Sequence, residues 1–281
     1  MKPFFLACLL IPGLVHAQRW HVNVTGGLSN YSGDLQAKPF TFDQGFFAFG
    51  AGAQYDLTRN FSLTSNISLM QVGASDKYNR PNLQFRNLSF QTNILEWNLL
   101  GEYTFFDITR SKISPFIFGG VAVFHFDPYA FDSTGNKIYL KPLSTEGEGL
   151  TAYPGQKPYS LTQFAIPFGG GIKFRITDNI VLAYEIGFRK TFTDYLDDVS
   201  TRYVDRATLL AERGPKAVEL AYRAGELKGG NPTYPTAGTV RGGSKYKDIY
   251  YYTGIRLSVA LISRNNPYYG RGRTDCPKSV Q

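Results

Sequence analysis

The stretch Leu161-Thr162-Gln163-Phe164-Ala165-Ile166-Pro167-Phe168-Gly169-Gly170-Gly171-Ile172-Lys173-Phe174-Arg175-Ile176-Thr177 alternates between apolar and polar residues. Phe164, Ile166, Phe168, Ile172, Phe174 and Ile176 share one face, and Gln163, Ala165, Gly169, Gly171, Lys173 and Arg175 share the other. Successive side chains of a strand point to opposite faces, so this period of two predicts a strand with one oily side and one wet side. Segments of the same kind recur at about 19–28, 46–56, 60–71, 88–105, 113–127, 179–193 and 248–262. A single segment is a weak signal, whereas eight in series are a strong one.

The connections alternate in length. Asp56-Leu57-Thr58-Arg59-Asn60, Asp107-Ile108-Thr109-Arg110-Ser111 and Thr177-Asp178-Asn179 are short polar turns. The other four run over about 29–45, 72–87, 128–160 and 194–247. Short turns at one end and long loops at the other predict an all-β fold: an eight-stranded antiparallel transmembrane barrel with periplasmic turns and extracellular loops. The rival is a soluble sandwich, which does not sort its loops by length in this way.

The N-terminus fits an exported chain. Lys2 precedes the apolar run Phe4 to Val15, and Val15-His16-Ala17 reads as a cleavage site, so residues 1–17 are predicted to be a signal peptide. That run is too short to cross a bilayer as a helix. Cys8 lies inside it rather than at its end, which argues against a lipoprotein. Loss of Lys2 lowers the net charge from +8 to +7. The mature chain keeps Cys276 as its single cysteine, which excludes a disulfide framework and a thiolate metal site. No later segment offers the roughly 20 apolar residues of a membrane helix. Yet 43% of residues are hydrophobic and 15% aromatic. In a barrel that oil faces lipid, which places the chain in the outer membrane of a Gram-negative bacterium.

The two faces are legible strand by strand. Leu95, Trp97, Leu99, Tyr103 and Phe105 point outward from the fourth segment, and Ile180, Leu182, Tyr184, Ile186 and Phe188 from the seventh. Ile249, Tyr251, Ile255, Leu257, Val259 and Leu261 do so from the eighth. Backbone groups in lipid must all be paired, so the first strand must close on the eighth. Pro167 cannot donate to a ladder and predicts a bulge or a widened register. Glu96, Glu102, Lys173, Arg175, Glu185, Arg189 and Arg256 point inward. An eight-stranded barrel is only wide enough for its own side chains. Unpaired charges there are costly, so Glu96, Glu185, Arg189 and Arg256 are expected to form ion pairs that plug the lumen, with Glu96, Glu185 and Arg256 near mid-depth. The competing reading is a small-solute pore.

Signals for chemistry are sparse. After signal removal only His21, near the periplasmic start and facing inward, and His125, near the outer end of the fifth strand, remain. A lipid-modifying rim hydrolase would pair His125 with a serine and an acid, and no motif marks that serine. Asp194, Asp197 and Asp198 offer oxygen ligands for Ca²⁺ but lack the spacing and central glycine of an EF-hand loop. The alternative is that Asp197 and Asp198 cap a short helix over Tyr203–Arg213. Gly119-Gly120 and Gly169-Gly170-Gly171 lack the Lys-Ser/Thr and helix of a phosphate loop, and permit close strand packing instead. The basic stretch from Arg264 to Lys278, with Arg271 and Arg273, is read in an exported chain as meeting a periplasmic partner or lipid headgroups rather than nucleic acid.

Several stretches carry a resemblance. They are Tyr31-Ser32-Gly33-Asp34-Leu35, Leu88-Ser89-Phe90 with Glu96, and Thr145-Glu146-Gly147. The longest is Thr193-Asp194-Tyr195-Leu196-Asp197-Asp198-Val199-Ser200, followed by Tyr203. Over about residues 20 to 262 the chain resembles the PorG-type outer-membrane barrel proteins of Bacteroidota, which are associated with the type IX secretion system. The resemblance implies a barrel without catalytic residues or cofactor. It would be a monomer within a larger complex, tying a periplasmic ring lipoprotein to the outer membrane. The expected organisation is a signal peptide over 1–17, a barrel over 18–262 and a basic periplasmic tail over 263–281. Arg59, Arg110, Arg271 and Arg273 are the expected periplasmic contacts. The other reading is an extracellular binding or adhesion barrel working through its long loops. Many barrels of this kind end on an aromatic residue, whereas this chain continues for about twenty residues past its last strand.

Overall fold

The computed structural model describes residues 20–36, 38, 41, 44–245 and 247–261. Eight long strands form one closed antiparallel barrel: β1 (Trp20–Ser32), β2 (Phe46–Asp56), β3 (Phe61–Ser75), β4 (Ser89–Thr104), β5 (Ile113–Phe131), β7 (Thr162–Arg175), β8 (Ile180–Thr191) and β9 (Ile249–Ala260). A three-residue strand, β6 (Lys137–Tyr139), pairs only with the outer end of β5. Each long strand pairs with its neighbour in sequence, and β1 closes on β9 from His21↔Ala260 to Ser32↔Ile249. No edge is left open, as backbone in hydrocarbon requires. Among the described residues no helix is long and apolar enough to cross a membrane.

Alternation sets the wall. On β4, Leu95, Trp97 and Leu99 are exposed, while Ile94, Glu96 and Asn98 between them are buried. β7 behaves alike, with Phe164, Ile166 and Phe168 outside and Ala165 and Lys173 inside. β1, β3 and β5 run about four residues further at the loop end than their sequence pattern predicts. The outward positions there are Asn30 and Ser32 on β1 and Gly73 and Ser75 on β3, so the apolar alternation is lost although the ladder continues. On β5 they are Tyr129 and Phe131, beyond the polar Asp127.

Two expectations need correction. Pro167 produces no bulge: the offset between β5 and β7 is the same at Gly119↔Phe168 and at Ala122↔Ala165. The pairing lapses only between those points, where the proline has no N–H to give, and its β8 side stays in register at Pro167↔Arg189. Tyr251 does not meet lipid. It is fully buried, and its hydroxyl donates to the Thr41 carbonyl (2.8 Å) and accepts from the Thr41 N–H (2.7 Å) of the first long loop.

Over the loop end sits a folded cap containing two short helices, α1 (Arg206–Arg213) and α2 (Pro215–Ala221). Leu150, Val204, Leu209, Ala217 and Ala221 form its own small core. Helix α1 begins later than the sequence predicts. Its N-cap is Asp205, which accepts from Thr208 N–H (2.8 Å), so Asp197 and Asp198 are not the capping residues.

Candidate functional site

Three places in the molecule gather functional groups: the lumen, the cap and the short-turn mouth. In the lumen, Arg189 grips Glu96 with two hydrogen bonds, Nε to Oε2 (3.1 Å) and Nη2 to Oε1 (3.2 Å). Tyr250 donates a third to Glu96 (2.6 Å) and Asn98 a fourth (2.7 Å). All of these groups are buried. A second cluster lies nearer the turns. Glu102 receives both Lys173 and Arg256, and Arg256 Nε reaches Glu185 at 3.3 Å. The ring of Phe116 faces both cations, at 5.2 Å from Lys173 and 5.1 Å from Arg256. Between the clusters a cavity of only about 20 Å³ remains. Glu96 and Arg189 therefore pair with each other, and Glu185 with Arg256. Sequence reasoning missed Tyr250 as the third arm on Glu96 and Glu102 as the hub of the second cluster; nothing in the local pattern distinguishes either from its neighbours.

The cap brings the resemblance stretches together. Tyr31 donates toward Asp197 Oδ2 (2.6 Å) and lies 2.8 Å from Asp248 Oδ1. Phe90 stacks edge-on to its ring at 4.9 Å. Gly33 is required here, because a Cβ at that position would collide with the Tyr31 hydroxyl and the Asp248 carboxylate. Asp34 accepts from the Gly243 N–H (2.9 Å), and Asp194 from Ser200 Oγ (2.6 Å). Asp198 accepts from Thr145 Oγ1 (2.6 Å) and Tyr159 (2.8 Å) and sits at φ 62. The Tyr159 and Tyr195 rings stack at 4.7 Å. Glu146 accepts from the N–H groups of Ser200 (2.9 Å) and Thr201 (2.7 Å) and from Arg241 (3.0 Å). Glu148 is buried beside it. Arg86, paired with Asp76 at 2.7 Å, ties the second loop to the same layer through the carbonyls of Asp34 (3.0 Å) and Arg241 (2.6 Å).

Burial pushes these acids upward. Asp194 rises to about 6 and Asp198 to about 6, in both cases chiefly by desolvation. Glu148 rises to about 8 by desolvation together with the charges of Asp198 and Glu146. Asp197 and Asp248 are raised by burial first, and each is further disfavoured by acids around it. The single Tyr31 hydroxyl has one hydrogen for two carboxylates, so one of the pair carries the second proton. Among the described residues no group of three or more His, Cys, Asp or Glu is arranged to hold a metal ion. The acids are held by hydroxyls, N–H groups and arginines instead.

At the short-turn end a vestibule of about 560 Å³ opens, walled by His21, Asp56, Thr104, Lys173 and Arg175. His21 lies 3.0 Å from Asp56. On its rim Arg59 and Arg110 both approach Asp107, at 3.9 and 3.8 Å, with side chains 70% and 76% exposed. Arg271 and Arg273, the whole tail after Leu261, and the predicted signal peptide lie outside the described residues. His125 is exposed on the outer wall, where its Nδ1 lies 3.0 Å from Thr162 Oγ1 and Asp127 shares its face of β5.

A closed eight-stranded barrel with an apolar exterior and a charged, filled interior defines an outer-membrane protein. The chain matches the model of the outer membrane protein beta-barrel domain over residues 4–205 and belongs to that family. It resides in the outer membrane of a Gram-negative bacterium. Among solved structures it is similar to Neisserial surface protein A, at 10% identity, with 86% of this chain and 97% of that one covered and a TM-score of 0.42. It is also similar to Ail, the attachment invasion locus protein of Yersinia pestis, in complex with a heparin analogue. There the identity is 6%, coverage 86% and 97%, and the TM-score 0.40. A third is OprG of Pseudomonas aeruginosa, at 9% identity, coverage 86% and 96% and TM-score 0.39. Among curated proteins there is no match.

Proposed function

We propose that this barrel is a non-enzymatic anchor that docks periplasmic components of a protein secretion machine of the type IX kind. The observation that carries the reading is the open, charged mouth at the turn end. The lumen is filled by paired charges. Glu146, Glu148, Asp194, Asp197 and Asp198 of the long loops are buried in the cap. The turn end instead presents an open vestibule with Arg59 and Arg110 exposed on its rim. A partner fits such a mouth through acidic side chains, since exposed arginines form bidentate contacts with carboxylates. The ring lipoprotein of the resembled family is the proposed partner, with the basic tail as a further contact.

The test is to solubilise native outer membrane gently, capture the protein through a tag in the last long loop and identify what accompanies it. Recovery of a periplasmic ring lipoprotein, lost on replacing Arg59, Arg110 and residues 264–281, supports the anchor. Recovery of the barrel alone from intact membranes overturns it. The second reading, extracellular binding, draws on the preformed cap with its own apolar core. Trimming the cap would then abolish surface binding and spare secretion.

A further inference from the structure

The outer wall of β2–β5 is not uniform oil. A groove of about 500 Å³ runs up it toward the loop end, within the size range of small-ligand sites. Its floor is Phe47, Phe49, Leu69 and Leu95, all exposed, and continuous with the apolar belt of Ile67 and Trp97 below. Its upper rim is polar: the exposed amide of Asn93, the carboxylate of Asp127 and the ammonium of Lys137.

That rim is built in advance. Lys137 Nζ stands 3.8 Å from the centroid of the Tyr129 ring and 4.9 Å from that of Tyr139, an arrangement that holds a cation without neutralising it. Tyr129 is fixed from behind, its hydroxyl donating to Gln91 (2.9 Å) and accepting from Gln71 (2.9 Å). Strand β6, which carries Lys137 and Tyr139, exists only through its pairing with β5, so the fold spends a dedicated hairpin on this rim. Groups immobilised beforehand lose less freedom when a ligand arrives.

The membrane supplies the occupant. Groups continuous with the apolar belt meet acyl chains, so the ligand is a lipid whose headgroup lies between Asn93, Asp127 and Lys137. Lys137 selects an anion. Asp127, an acceptor only when ionised, repels a bare phosphate diester but accepts hydroxyls, as does the Asn93 amide. We propose that this groove binds one phosphorylated glycolipid of the outer leaflet, with phosphate on Lys137, sugar hydroxyls on Asp127 and Asn93, and an acyl chain along Phe49, Leu69 and Leu95.

The test is native mass spectrometry of the full-length barrel in mild detergent, offered diphosphorylated lipid A, its dephosphorylated form and phosphatidylglycerol as separate probes. One copy of the diphosphorylated lipid A should be retained in preference to both others. K137E should lower that retention about tenfold, the loss of one charge-assisted contact. N93A should lower it less. K190E changes an exposed lysine on β8, across the barrel, and should leave it unchanged. Equal retention of phosphatidylglycerol, or equal loss in K137E and K190E, would overturn the proposal. Each variant is first checked for heat-modifiable migration, so loss of binding is read only from folded barrels.

Discussion

The lumen and the cap both bury carboxylates, but they neutralise them by opposite means. In the lumen every acid named here faces a cation at contact distance: Arg189 on Glu96, Lys173 and Arg256 on Glu102, Arg256 on Glu185. In the cap, Asp194, Asp197, Asp198, Glu148 and Asp248 are buried with mainly hydroxyls and N–H groups around them. Arg241 is paired with Glu146 rather than with any of these carboxylates. A carboxylate matched by a permanent guanidinium keeps its charge; in the cap, burial and the neighbouring acids favour the protonated form more than the hydroxyl and N–H donors favour the ionised one. The lumen is thus held by fixed ion pairs, whereas the cap contains acids whose protons the medium can remove.

The largest effect should come from breaking a lumen pair. Glu96→Ala leaves Arg189 buried and unable to discharge, which costs about 3–5 kcal/mol. A urea titration of the barrel folded in lipid vesicles should show the midpoint fall accordingly, and an unshifted midpoint would deny the lumen pair its structural role. Next, Gly33→Ala drives a methyl into Tyr31 and Asp248. About 1–3 kcal/mol of overpacking should fall on the cap alone, read as faster cleavage of the 193–200 loop by protease while heat-modifiable migration is unchanged.

The third prediction is pH dependence of the cap. Its acids have folded pKa values raised above those of the unfolded chain, so the folded cap binds more protons and loses stability as pH rises. The stabilisation is full below about pH 4, where both forms are protonated, and declines through about 6 for Asp194 and Asp198 and about 8 for Glu148. Hydrogen exchange of residues 193–200 should be about tenfold less protected at pH 8 than at pH 5 after correction for intrinsic rate, the equivalent of one pKa unit. The barrel strands should show no such change. The smallest effect belongs to Asp197→Asn, which keeps shape and lets Tyr31 donate to Asp248 without a shared proton. Stability at pH 5 should move by under about 1 kcal/mol, while the slope between pH 5 and 8 flattens. A slope as steep as before would place the relevant proton elsewhere.

Periodicity made the barrel legible because each strand reads its two solvents residue by residue. The inward set Glu96, Glu185, Arg189 and Arg256 was legible for the same reason. Their partnership was not: Glu96 and Arg189 are 93 positions apart, and only strand register and barrel diameter bring them to 3.1 Å. The loop stretches Tyr31–Leu35 and Thr193–Ser200 were visible as unusual sequence. Their meeting inside the cap had no local signal, and neither did the recruitment of Asp248, Glu146 and Glu148.

The sequence by itself determined the strands, the two faces, the sorting of turns from loops and hence the membrane address, since these follow from the two-residue period and from what each face must touch. Tertiary structure alone decided that Tyr251 hides beneath Thr41, that Asp205 rather than Asp197 starts α1, and that the acids of three loops share one buried layer. Those outcomes depend on which loop folds over which. Desolvation and charge pairing act through space, and their partners lie tens to hundreds of residues apart along the chain.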